Sequence, residues 1–150
     1  MELRSTFARM ATDYAGAPDK RVAPRPVQMT TQHALWISLS TACRMGELLM
    51  AQWKHVDLEA RTWFIPKENV KGARGKKQDH RVYLSPFALR HFQALHHLTG
   101  TTAWCFPSFD SKTHVDVKTV SKQVGDRQHR FKKRAMLRGR RNDDSLVLGR

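Results

Sequence analysis

Between His33 and Trp53 the chain is apolar at most positions, and beyond that stretch its periodicity changes twice. "HALWISLSTAC" (33–43) reads as a helix capped by Thr30 or Thr31, apolar on nearly every side and so expected at the centre of a core. A second helix is predicted over Met45 to Trp53, where Leu48, Leu49 and Trp53 lie at helical spacing. "TWFI" (62–65), stopped by Pro66, and "HRVYLS" (80–85) then read as two short strands of a hairpin with a long basic loop. Ser85-Pro86 places an N-cap and a first-turn proline ahead of "FALRHFQALHHL", which Gly100 ends. Phe87, Leu89, Phe92, Leu95 and Leu98 are available for its buried face, and one more helix is expected from Thr119 to about Arg134. This order predicts an α+β fold, mainly helical, with helices packed on a small antiparallel hairpin or sheet. Residues 1–25 read as a tail or linker with one short helix at most, and residues 26–150 as the folded domain.

At 150 residues the chain suits one domain with a real core. Its 27 Lys and Arg against 13 Asp and Glu give a net charge of +14, which points to a polyanionic partner, nucleic acid before membrane. The charge is uneven: residues 111–150 carry a net of +8 and the first 110 a net of +6. No run of about 18 apolar residues suggests a membrane span. Cys43 and Cys105 are far apart in apolar surroundings and outside any C-x-x-C pair, so both are read as reduced core thiols of a cytoplasmic protein. The eight His are scattered, His96 and His97 cannot both face one ion, and no metal or other cofactor is called for.

Arg44 and Glu47 interrupt the apolar stretch. Three residues apart, they fit an ion pair at a helix start. The small residues Ser40, Thr41, Ala42 and Gly46 also leave room for a large group to approach Arg44, whose planar fork suits a phosphate. In that second reading Glu47 orients the arginine. Lys67, Lys71, Arg74, Lys76, Lys77 and Arg81 cluster in and around the predicted hairpin loop. They form either a solvated basic loop or a finger that enters a DNA groove, where one lysine could donate a proton to a leaving oxygen. Lys118 and Lys122 could share a helix face toward phosphates.

The ordered set T-A-C-R-M-G-E-L, W-x-x-V-D, a strand ending I-P, a lysine hairpin, H-R-V-Y-L-S and F-P-S resembles the catalytic domain of tyrosine recombinases, in particular phage-type integrases. The resemblance covers about Gln28 to Ser108. It implies that Arg44 clamps a scissile phosphate, that Glu47 supports it and that Lys71 protonates the leaving 5′ oxygen. It also implies binding of double-stranded DNA, with Arg74, Lys76, Lys77, Lys118 and Lys122 as further contacts, and a homo-oligomer on that DNA. The implied reaction joins a tyrosine to a DNA 3′ phosphate, and the implied chemistry needs no metal.

The chain departs from the family pattern in one respect. It has no H-x-x-R box, and its only tyrosines, Tyr14 and Tyr83, do not stand where the nucleophile belongs. The expectation is therefore part of a recombinase catalytic domain that does not cleave DNA alone. Two other functions stay open: a non-catalytic basic DNA-binding module, and an RNA-binding protein, which would need exposed aromatics for stacking. The recombinase reading requires Arg44 to be reachable from solvent beside the Lys71 loop.

Overall fold

The computed structural model describes residues 3–73 and 75–126. They fall into two units, residues 28–120 and, separately, residues 3–27 with 121–126. In the second of these, α1 (Leu3–Ala15) is one helix within residues 1–25, with Phe7 buried. The Gly16 N–H donates to the Thr12 carbonyl at its end, before Pro18.

Residues 28–120 hold α2 (Met29–Thr41), α3 (Met45–Leu49), a 3₁₀ turn (Trp53–His55), β1 (Val56–Asp57), β2 (Thr62–Ile65), β3 (His80–Tyr83) and α4 (Pro86–Thr99). The helix α5 (Val117–Asp126) starts at their end. The strands form an antiparallel sheet in the order β1-β2-β3, with Trp63 opposite Val82 and Ile65 opposite His80. Alternation along β2 turns Trp63 and Ile65 into the core, where they join Ile37 of α2, Leu48 and Leu49 of α3, Phe92 and Leu95 of α4, and Phe106. Each such side chain contributes about 1.5–3 kcal/mol through burial.

Several expectations are corrected. The helix α2 starts at Met29 after Gln28, not at a threonine cap, and buries one face only, leaving Leu39 71% exposed. The second helix ends at Leu49, four residues short of Trp53. Its continuation is lost to the loop after α4: Trp53 N–H bonds the Ala103 carbonyl, Cys105 N–H bonds the Ala51 carbonyl, and the Trp53 indole N–H bonds the Thr99 carbonyl. Thr99 Oγ1 in turn donates to the Cys105 carbonyl at 2.9 Å. Ahead of β2 stand an edge strand, β1, which was not expected, and a tight reversal in which Arg61 takes positive φ. In α4, Ser85 Oγ accepts the Ala88 N–H as expected, but Ala88 and Thr99 are buried while Leu98 is half exposed. The last helix begins at Val117, earlier than Thr119; its expected continuation to Arg134 and the tail beyond lie outside the described residues. Of the four Trp only Trp63 is fully buried; Trp36, Trp53 and Trp104 are half-buried, each edge-on to another ring. Both cysteines are free, Cys105 buried and Cys43 half-buried. No helix among the described residues is long and apolar enough to cross a membrane.

His33 of α2 and His91 of α4 meet with their Nδ1 atoms 2.9 Å apart, so a single proton serves both nitrogens. Burial lowers the His33 pKa below its ordinary value near 6.5. As pH falls, the unfolded chain protonates this ring first, so it binds more protons than the folded chain and stability drops. The thermal midpoint is therefore expected to hold above about pH 7 and to fall on acidification below about pH 6.5. The variant His33→Gln should flatten that slope in circular-dichroism melts. A wild-type midpoint that does not move on acidification counts against the assignment.

Candidate active site

The apolar stretch containing Arg44 is a corner, which explains how a guanidinium sits within it. The helix α2 stops at Ala42, which takes a left-handed conformation (φ 54), and Arg44 is extended as the residue before α3. The corner is tied by the Ser38 hydroxyl donating to the Cys43 carbonyl at 3.0 Å and Thr41 Oγ1 donating to the Ile37 carbonyl at 2.7 Å. A non-glycine residue in that conformation costs about 1 kcal/mol, which the packing of Leu48 and Leu49 offsets. The room beside Gly46 is filled from within: a Cβ there would sit 3.6 Å from Val117 Cγ2, so α5 starts against the first turn of α3. The open side is at Ser40 and Ala42, both exposed.

The Arg44 side chain is 64% exposed, and that of Glu47 only 14%. Arg44 Nη1 lies 3.9 Å from Glu47 Oε1 and 3.3 Å from the Lys71 carbonyl, to which it donates. The Lys71 N–H donates to Glu47 Oε1 at 3.2 Å. An ion pair this long and this exposed is worth at most about 1 kcal/mol and does not use up the arginine. Only Nη1 is engaged among the described residues, which leaves the Nη2 edge and Nε for an anion. Glu47 therefore works mainly on the loop: it holds the Lys71 backbone against α3.

Two residues that sequence reasoning passed over complete this placement. Val70 packs on the core and anchors the loop one residue before Lys71. Asp79 accepts the Lys67 N–H at 2.8 Å and closes the loop's neck. A lone valine within a polar segment, and an aspartate at a strand's start, were the available signals. Of the other expected cations, Lys76 is exposed, Lys77 is half-buried with its Cγ near Gly72, and Arg74 lies outside the described residues. Lys118 and Lys122 are exposed and four apart on α5. Among the described residues no three His, Cys, Asp or Glu side chains gather to hold a metal ion.

Glu47→Ala should release the loop. Losing one hydrogen bond to a charged acceptor costs about 1.5–3 kcal/mol, so amide exchange over residues 67–73 should quicken by roughly tenfold or more. Glu47→Gln, which keeps an acceptor, should fall between. Hydrogen–deuterium exchange by mass spectrometry reads this directly, and unchanged exchange in Glu47→Ala would contradict the assigned role.

A family model described as "Phage integrase family" matches residues 15–142. The chain belongs to the phage integrase family. Two curated integrases are similar to it in sequence: the integrase of Enterobacteria phage P4, 31% identical over 103 residues, and prophage integrase IntA of Escherichia coli strain K12, 33% identical over 101. These alignments cover 63% and 61% of this chain, which spans about a quarter (24%) of each relative. Two solved structures share the phage integrase fold seen here. XerA recombinase superposes with a TM-score of 0.53 at 15% identity, covering 84% of this chain and 40% of that one. The Tn1549 transposon integrase, solved in complex with circular intermediate DNA, gives 0.55 at 12% identity, over 89% and 46%. The α+β architecture expected from the sequence is thus the fold of both structures.

Proposed function

We propose that this chain supplies the phosphate-gripping part of a tyrosine recombinase centre, in an integrase that cuts and rejoins double-stranded DNA through a 3′-phosphotyrosyl intermediate. The observation that carries the reading is that Arg44 and Glu47 both bond the Lys71 backbone at one solvent-open corner. In this reading the free edge of Arg44 holds two non-bridging oxygens of the scissile phosphate and neutralises the charge that builds on them. Lys71, on the loop that Glu47 secures, gives a proton to the departing 5′ oxygen. Lys76, Lys77, Lys118, Lys122 and Arg74 contact flanking phosphates, and the active assembly is a homo-oligomer on DNA in the cytoplasm. The DNA-bound state of the Tn1549 integrase supports the choice of substrate.

The chain alone binds DNA without cleaving it. Tyr83 opposes Thr62 at the end of the hairpin away from the loop, about 10 Å along the strand from His80. Tyr14 belongs to α1, ahead of the site's elements in sequence. The test is fluorescence anisotropy with labelled duplex DNA across a salt series, together with a nicked duplex run on a denaturing gel. Affinity should fall about 10³-fold between 50 and 200 mM salt if about six phosphates are neutralised, with no covalent adduct. Binding that ignores salt would remove the basic surface from the account.

A further inference from the structure

The outer face of the sheet and the hairpin before α5 carry features that strand cleavage does not use. Thr62 opposes Tyr83 and Phe64 opposes Arg81, so these side chains share the face away from Trp63. Next to them the His55 ring stands edge-on to Phe64, with centroids 5.6 Å apart. With Leu58 these rings line an open groove of about 580 Å³. Its rim carries both signs of charge, Lys54 and Arg81 against Asp57 and Glu59. His55 Nδ1 is buried there without a hydrogen-bond partner among the described residues. A DNA backbone, anionic throughout, does not match a mixed rim. An apolar anchor flanked by opposite charges does.

The chain itself displays such an anchor. Pro107 and His114 are bridged, and the turn between them is closely tied. Ser108 Oγ donates to Asp110 Oδ1 at 2.6 Å, the Ser111 N–H bonds the Ser108 carbonyl at 2.9 Å, and the Lys112 N–H bonds Asp110 Oδ1 at 3.2 Å. At its tip Phe109 is fully exposed, at 109%. Its backbone is held in place before any partner arrives, which reduces the entropy lost on docking. The Ser108 hydroxyl and the Lys112 N–H hold the Asp110 carboxyl below its ordinary range, so it stays charged at neutral pH.

The geometry points to a head-to-tail contact between two copies of this chain, in which Phe109 of one copy enters the groove beside His55 and Phe64 of the other. Asp110 then faces Lys54 and Arg81, and Lys112 faces Asp57 and Glu59. Knob and groove are different patches, so the contact is heterologous and either closes a ring or runs on. It uses neither Arg44 nor Lys71, so it stands or falls independently of the cleavage reading.

The test places the photoreactive residue p-benzoylphenylalanine at position 109 and irradiates the purified chain with and without duplex DNA. The expected product is a covalent dimer whose adduct maps by mass spectrometry to residues 54–64 or to Arg81. Arg81→Glu and Asp110→Lys should each lower dimer yield about tenfold, and the double variant should recover it. Circular dichroism confirms that each variant is folded. Adducts to DNA, adducts elsewhere on the chain, monomer alone at every concentration, or a folded double variant that does not recover would each overturn the contact.

Discussion

Arg44→Ala weakens binding to duplex DNA by roughly tenfold to a hundredfold at low salt, the value of one charge-assisted contact of about 1.5–3 kcal/mol. It also flattens the dependence of affinity on salt by about one phosphate's worth, close to 0.9 in slope. Arg44→Lys recovers the charge but not the two-pronged grip, so its affinity stays below that of the parent chain. The Arg44 side chain is 64% exposed and carries little packing, so the melting temperature stays within about 2 °C of the parent. Anisotropy titrations at several salt concentrations, with a thermal melt of each variant, measure all of this. An Arg44→Ala chain that binds as the parent does would remove the centre of the proposed function.

Trp63→Ala acts on stability instead. Trp63 is 1% exposed, its ring centroid 6.0 Å from that of Phe92. Removing a fully buried indole costs about 3–5 kcal/mol, a large part of the 5–15 kcal/mol that holds an ordinary domain together. The midpoint should fall by about 10 °C or more in a chain of this size, and less urea should unfold it. Tyr83→Ala, on the sheet's outer face and 78% exposed, should change stability by about 0.5 kcal/mol at most. Comparable losses from the two changes would mean that β2 and β3 present their faces the other way round.

The hairpin strands β2 and β3 and the helix α4 were legible because their signals are local. Pro66 stops β2, and Ser85 with Pro86 starts α4, through backbone chemistry that needs no distant partner. The end of α3 was not legible, because what ends it comes from some fifty residues away in sequence: Ala51 and Trp53 leave the helix to bond Cys105 and Ala103. The same limit hid β1, whose two residues mean nothing without β2 beside them. At the site, Arg44, Glu47 and Lys71 stood out as residue types, and the family pattern assigned their roles. Their mutual arrangement did not stand out, since it depends on Val70 seating the loop and on Ala42 turning the corner.

The bond from Arg44 to the Lys71 carbonyl carries a mechanical consequence. In the proposed function one side chain meets the phosphate and also steadies the segment bearing the candidate proton donor. Whatever draws the guanidinium outward therefore tugs that segment along or lets it go. Under the proposed function, the arrival of a phosphate and the positioning of Lys71 are then coupled through that bond.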